Sequence, residues 1–162
     1  MQVRELMNTS VVTVGVDRTV SELFDILQEA HVKGAPVLDK SGALVGFVSQ
    51  EDVMFGSLGG GRDATAAVVG DIMTSPAMSV TEGTTVQELA RMMWRFRIHH
   101  MPVTRADRVV GMVSSLDFCR LAAEHGIPIA AINSGRTRAD HLIELKLSAR
   151  FEDVIEVLHN PE

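Results

Sequence analysis

Gly46-Phe47-Val48-Ser49-Gln50-Glu51-Asp52 returns later in the chain as Gly111-Met112-Val113-Ser114-Ser115-Leu116-Asp117. Both strings run glycine, two apolar residues, serine, then aspartate three positions on, which predicts a short buried strand ending where a helix begins. Around them, Val3, Leu6, Met7, Val12, Val14, Thr19, Val20, Glu22, Leu23, Pro36 and Val37 correspond to Val69, Ile72, Met73, Met78, Val80, Thr85, Val86, Glu88, Leu89, Pro102 and Val103, every pair 66 positions apart. From Gly46 and Gly111 onward the offset is 65, so the second copy lacks one residue in the turn between. A repeat of this length predicts two like units that share a core.

Composition agrees with that reading. A repeat of roughly 55 residues buries only about 60% of its surface and is marginal alone; packing the two together remedies this. The 162 residues are 46% hydrophobic with a net charge of -6, which argues against a nucleic-acid partner, since a phosphate backbone favours a basic face. No apolar run approaches the roughly 18 residues of a membrane span, and Met1-Gln2-Val3-Arg4-Glu5 lacks the basic and apolar regions of a signal peptide. With a single cysteine, Cys119, no intrachain disulfide forms, and a cytoplasmic location is expected.

Taken in order, Val3 to Met7 suits a turn of helix leading into a strand at Val11–Val14, and Val69 to Met73 leads likewise into Ala77–Val80. Thr19-x-x-Glu22 and Thr85-x-x-Glu88 are capping boxes, in which the threonine hydroxyl accepts a free backbone N–H and the glutamate reaches back. Val20, Leu23, Phe24, Leu27 and Ala30, and likewise Val86, Leu89, Ala90, Met93 and Phe96, recur at helical spacing and are expected on the face against a sheet. The nine methionines are read as packing. Each helix leads to a hairpin: Ala35 to Leu38 with Leu44 to Val48, and Met101 to Thr104 with Val109 to Val113. Pro36 and Pro102 lack a backbone donor and are expected at a strand start or exposed edge. A helix from Ser49 to about Phe55, or Ser114 to about Glu124, closes each unit. The fold class expected is α/β (α+β): strand-helix-strand-strand-helix twice, with pseudo-twofold packing, as repeats at 1–56 and 69–124 separated by a glycine-rich linker at 57–68.

At this point the chain resembles the paired cystathionine-β-synthase (CBS) domain, or Bateman module. The resemblance spans residues 3 to 124 and rests on the order of elements, the Ala35-Pro36-Val37 and Met101-Pro102-Val103 strands, and the two Gly-x-x-Ser-x-x-Asp strings. It implies facing repeats with two clefts that in many members bind adenosine-containing ligands, a sensing and transmitting role, and association of two modules as a homodimer. An AMP, ADP or ATP class of ligand is therefore expected, with an unidentified protein partner to receive the signal.

Site residues follow from the resemblance together with chemistry. Ser49 and Ser114 stand at helix N-caps, where free N–H groups and the helix dipole favour an anion; Asp52 and Asp117, one turn in, suit a ribose diol, the role the family assigns to them. The family places adenine against backbone at Val11, Val12, Thr13, Gly34 and Ala35, and at Ala77, Met78, Ser79, His100 and Met101. Lys33 in the first cleft, and Arg97 and His99 in the second, with Arg95 and Arg120 near, are the phosphate cations; arginine grips two phosphate oxygens at once, so the second cleft is favoured if only one is filled. Ser-x-x-Asp is also a variant capping box that needs no ligand, although the box prefers Glu or Gln where Asp stands twice.

No metal site is expected: adjacent His99 and His100 on an extended segment point opposite ways, and no Cys or carboxylate spacing completes a set. Gly56 to Asp63 lacks the Gly-Lys-Ser/Thr ending of a phosphate loop and reads as linker. Residues 125–162 form an extension, with strand alternation over His141 to Leu147 and a helical stripe of Phe151, Val154, Ile155 and Leu158. Catalysis finds no nucleophile-base pairing at a recognisable spacing. The reading is thus a non-enzymatic sensor of an adenosine-containing ligand, and its rival is a dimerisation scaffold without a small-molecule ligand.

Overall fold

The computed structural model describes residues 1–58, 67–132, 138–143 and 145–147. A 3-10 turn at Val3–Glu5 precedes β1 (Val14–Gly15), α1 (Val20–Glu29), β2 (Gly34–Leu38), β3 (Leu44–Ser49) and α2 (Gln50–Leu58). The order then returns as α3 (Val69–Ile72), β4 (Val80–Thr81), α4 (Val86–Phe96), β5 (His100–Arg105), β6 (Arg108–Ser114) and α5 (Ser115–Glu124). After it come β7 (Ala130–Ile132), a 3-10 turn at Asp140–Leu142 and β8 (Leu145–Leu147). The mixed α/β architecture is the one expected. The chain divides into two compact units, Met1–Val113 and Ser114–Glu162.

The first unit holds two three-stranded sheets, ordered β1-β2-β3 and β4-β5-β6. In each, a two-residue strand pairs in parallel with the middle strand: Val14 with Val37 and Gly15 with Leu38, Val80 with Val103 and Thr81 with Thr104. The first strands are therefore shorter than expected; Val11–Thr13 and Ala77–Ser79 lie outside them. Pro36 and Pro102 are likewise not at a sheet edge. They sit buried inside the middle strands. The short neighbours explain why this is tolerated, since β1 ends its pairing at Val37 and β4 at Val103, so no ladder bond asks for the missing proline N–H.

The one-residue difference between the repeats lies in the hairpins. β5 and β6 are joined by Ala106 and Asp107, both at positive φ (48° and 62°), the two-residue turn that matches strand twist. Between β2 and β3 the link is Asp39 to Ala43, where Asp39 Oδ1 accepts from Ser41 N, Ser41 Oγ and Ala43 N, and Gly42 takes φ 83°.

What joins the repeats is an exchange of their N-terminal turns. Val3 N donates to Thr84 O and Arg4 N to Glu82 O, while Val69 N donates to Arg18 O and Gly70 N to Val16 O. Asn8 and Met112 exchange both backbone bonds at 2.9 Å, and Thr74 and Phe47 do the same at 2.9 and 3.0 Å. Each bond in one direction has its partner at the repeat offset, so the arrangement is a pseudo-twofold swap. Val69, from the second repeat, is fully buried in the core of the first with Val14, Val20, Leu23, Leu27, Ala35, Val37, Val48 and Val53. A Cβ on Gly46 would run into Met73 Sδ and one on Gly111 into Met7 Sδ, so both glycines of the repeated string make room for the exchanged turn.

The helices match the pattern in part. Thr19 and Glu22 close a full capping box: Glu22 N donates to Thr19 Oγ1 at 3.2 Å and Thr19 N to Glu22 Oε2 at 2.9 Å. Thr85 accepts from Glu88 N at 3.1 Å. Val20, Leu23 and Leu27 of α1, and Leu89 and Met93 of α4, are buried. Phe24 and Phe96, expected in the core, are instead half exposed, because the buried arc of each helix is narrower than its apolar stripe.

In the second unit, α5 packs against the 3-10 turn Asp140–Leu142, and β7 pairs in parallel with β8, Ala130 with Leu145 and Ile132 with Leu147. The strand expected over His141 to Leu147 is thus confined to its last three residues; the 3-10 turn takes His141 and Leu142. β7 had no counterpart in the sequence reading. The stripe from Phe151 to Leu158 and most of the glycine-rich linker lie outside the described residues.

Candidate functional site

Residue pairing between β2 and β3 assembles the first candidate site. Gly34 stands opposite Ser49 and Ala35 opposite Val48, so the start of β2 meets the junction of β3 and α2. Gln50 N donates to Lys33 O at 2.9 Å, and Lys33 Nζ donates to Gln50 Oε1 at 3.0 Å. Gly34 is required by crowding: a Cβ there would lie 2.7 Å from Val48 O and 2.8 Å from Phe47 Cε1. Lys33, Gly34, Ala35, Ser49 and Asp52 are therefore brought together. Val11, Val12 and Thr13 are half-buried and run into β1, which flanks β2.

Ser49 and Asp52 form a capping box. Ser49 N and Ser49 Oγ both donate to Asp52 Oδ2 at 2.7 Å, and Asp52 N donates to Ser49 Oγ at 3.2 Å. One carboxylate oxygen is thus committed to the helix start. The other, Oδ1, accepts no hydrogen bond from any described residue and remains an acceptor for a hydroxyl donor.

The corresponding residues of the second repeat divide between the two units. In the first unit, Met101 is buried at the head of β5 and His100 is half-buried, its ring stacked on Phe47 with centroids 6.1 Å apart and planes at 19°. Ala77, Met78 and Ser79 precede β4, and Ser79 Oγ accepts from Thr104 Oγ1 at 3.4 Å. His99 is exposed; Arg97 is the C-cap of α4 at φ 54°, and the Arg95 guanidinium lies 5.6 Å from the Phe96 ring centre. In the second unit, Ser114 N and Oγ donate to Asp117 Oδ2 at 2.7 Å, repeating the box, and Arg120 Nη2 donates to Asp117 Oδ1 at 2.8 Å.

Two residues escaped the sequence reading. Gln50 latches Lys33, and Phe47 covers Gly34 and faces His100. Position 47 holds phenylalanine where the other copy has Met112, and position 50 glutamine where it has Ser115; those departures from the repeat were the available signal. Among the described residues no three His, Cys, Asp or Glu side chains are grouped to hold a metal ion, and no helix is long and apolar enough to cross a membrane.

Two α/β repeats with exchanged N-terminal turns, each ending a strand in a Ser-x-x-Asp box, define a duplicated α/β protein with polar groups gathered at strand-to-helix junctions. The CBS domain profile matches residues 3–59 and again 69–124, and the chain belongs to the CBS domain family. Hypoxic response protein 1 of Mycobacterium tuberculosis is 26% identical over 124 residues, covering 76% of this chain and 87% of that protein. The CBS domain pair of protein MJ0100, solved with 5'-methylthioadenosine and S-adenosyl-L-methionine, superposes with a TM-score of 0.69 at 25% identity, covering 77% of this chain and 98% of that one. CBSX2 of Arabidopsis thaliana, solved with AMP, gives a TM-score of 0.67 at 25% identity over 77% of this chain and 98% of its own.

Proposed function

We propose that this protein is a non-catalytic regulatory module that binds an adenosine-containing ligand of the AMP, ADP or ATP class and signals its presence to a protein partner. The observation that carries this reading is Asp52: its Oδ2 holds the start of α2 while Oδ1 is left to a ligand hydroxyl, beside Gly34 and Ala35 on the paired strand. A ribose diol donates to such a carboxylate, and a charge-assisted bond of that kind is stronger than one between neutral groups. Lys33, held against Gln50, supplies the cation for a phosphate. Similarity to two CBS pairs solved with adenosine derivatives supports the ligand class.

The test is a thermal-shift series with AMP, ADP, ATP and S-adenosylmethionine, followed by calorimetry on wild type and Asp52→Asn. A ligand at 100 times its Kd adds about 2.7 kcal/mol of apparent stability, or roughly 5–10 °C in Tm for a chain of this size. The expected result is a shift that Asp52→Asn cuts at least tenfold in affinity. No shift with any adenosine derivative refutes the reading.

A second reading, a homodimerisation scaffold, is favoured by Phe24, Met54, Trp94 and Phe96, large apolar side chains left in solvent, with Trp94 at 69% exposure. Sedimentation of the wild type against Trp94→Ser distinguishes it: the scaffold reading expects a dimer that the variant weakens, whatever nucleotide is present.

A further inference from the structure

The two Ser-x-x-Asp boxes are identical at the N-cap and different at the other oxygen. In both, Oδ2 accepts from serine N and Oγ at 2.7 Å. Asp52 Oδ1 then takes no hydrogen bond from a described residue, whereas Asp117 Oδ1 accepts from Arg120 Nη2 at 2.8 Å. The Asp117 side chain is only 13% exposed and Arg120 is 54% exposed, so the pair is partly withdrawn from solvent at its acidic end. Arg120 Nε also lies 4.0 Å from Glu124 Oε1, one turn further along α5, so the guanidinium sits between two carboxylates with its short contact to Asp117. At the repeat offset, the place of Arg120 is taken by Phe55, which has no side-chain donor.

We infer that the two carboxylates are unequal diol acceptors and that Arg120 lowers the affinity of Asp117 for a ribose. This rests on the ligand reading proposed above. A vicinal diol has to find a lone pair on Oδ1, because Oδ2 is engaged by two donors in both boxes. At Asp52 no cation of the described residues is hydrogen-bonded to that oxygen. At Asp117 a diol must displace Arg120 or share an oxygen that already accepts from it, and it gains less from the contact. Ribose capture therefore fills Asp52 first, and Arg120 sets the concentration at which Asp117 follows. The two boxes thus extend the range of ligand concentration over which one chain responds. This reverses the preference for the second cleft that a count of arginines gave.

Adenosine is the probe that tests this, because it carries the diol without a phosphate for Arg120 to grip. Calorimetric titrations of adenosine, then AMP, are run on the full chain and on Asp52→Asn, Asp117→Asn, Arg120→Met and Arg120→Gln. The half-exposed Arg120 is replaceable without loss of fold, and a circular dichroism melt of each variant checks this. Wild type is expected to show two classes of adenosine site, the tighter one lost in Asp52→Asn. Both Arg120 variants are expected to tighten the weaker class roughly two- to fivefold, the scale of releasing one partly exposed ion pair, and to leave the tighter class unchanged.

The inference is overturned if Asp117→Asn removes the tighter class, or if the Arg120 variants leave adenosine binding unchanged. It is overturned too if they weaken AMP alone, which would make Arg120 a phosphate ligand. Absence of adenosine binding to every form refutes the functional reading and this inference together; binding in equal classes refutes this inference only.

Discussion

Val69 belongs to the second repeat by sequence and to the first by packing, and truncating it tests the exchange of N-terminal turns. The side chain has no exposed surface and sits among Val14, Val20, Leu23, Leu27, Ala35, Val37, Val48 and Val53. Val69→Ala removes two buried carbons, about 0.8 kcal/mol each by transfer, and leaves a cavity that neighbours refill only in part, for a total of about 2–3 kcal/mol. At roughly 2–4 °C per kcal/mol for a chain of this size, Tm falls by about 5–10 °C. Native-state hydrogen exchange locates the damage. Protection should drop in β2 and β3, which are remote in sequence from the substitution, and Val3→Ala should mirror the effect in β5 and β6. Loss of protection confined to α3, or a Tm within about 1 °C of wild type, would refute the swap as the source of cohesion.

Gly34→Ala is expected to cost about 1–3 kcal/mol, the range for overpacking, read from the urea midpoint; Val48 O is backbone held by strand pairing and cannot retreat from the added Cβ. Thr19→Ala removes the hydroxyl that accepts Glu22 N and lowers stability by about 1 kcal/mol by the same measurement. Acid should destabilise the fold through Glu22 and Glu82. Glu22 is held below its ordinary value by the Thr19 N–H, then by Arg18, and Glu82 by its hydrogen bonds from Arg105. A carboxylate depressed in the folded state stabilises above its unfolded value and loses that contribution as pH falls through the lowered one. Tm should therefore be flat near neutrality and decline below the ordinary carboxylate value of 4.5. Glu82→Gln should flatten the decline in a Tm-against-pH series, and an unchanged slope would count against the pairing.

The order of elements was legible in the sequence because glycine, proline and threonine-glutamate pairs punctuate it at one offset. Strand lengths were not. Val11-Val12-Thr13 has strand composition, but β1 is limited by what β2 offers it, pairing only Val14 and Gly15. Burial of Phe24 and Phe96 was misjudged for a related reason: helical spacing says which residues share a face but not how wide an arc the sheet covers. The exchange of turns was invisible, since partner choice between two similar copies depends on tertiary fit. Its trace was there in Gly46 and Gly111, whose missing Cβ atoms admit Met73 and Met7. At the candidate site the serine-aspartate pairs were legible, and both are capping boxes; whether an oxygen is left over depends on Arg120, one turn further along, where the repeat breaks.

Where the copies agree and where they part separates scaffold from site. The residues whose side chains, or lack of one, keep the exchange are matched in kind: Val3 with Val69, Met7 with Met73, Gly46 with Gly111, each making the same bond or the same close contact in the two directions. Such residues cannot drift independently, because a change on one side breaks a shared core. Four departures lie at or near the candidate sites. Lys33 faces His99 in the alignment of the copies, Gly34 faces His100, Phe47 faces Met112, and Phe55 faces Arg120. Each of these four positions is at, or within one helical turn of, a residue of the candidate sites. Phe47 and His100 are stacked on each other, so two of the departures are physically one. At these positions the two copies differ in charge and in ring chemistry beside the residues of the candidate sites. Departures are as common at the solvent-facing positions of α1 and α4, where Ser21, Asp25, Gln28 and Glu29 stand opposite Gln87, Arg91, Trp94 and Arg95; it is the bonds made at each box, and not the number of differences, that distinguish the two carboxylates.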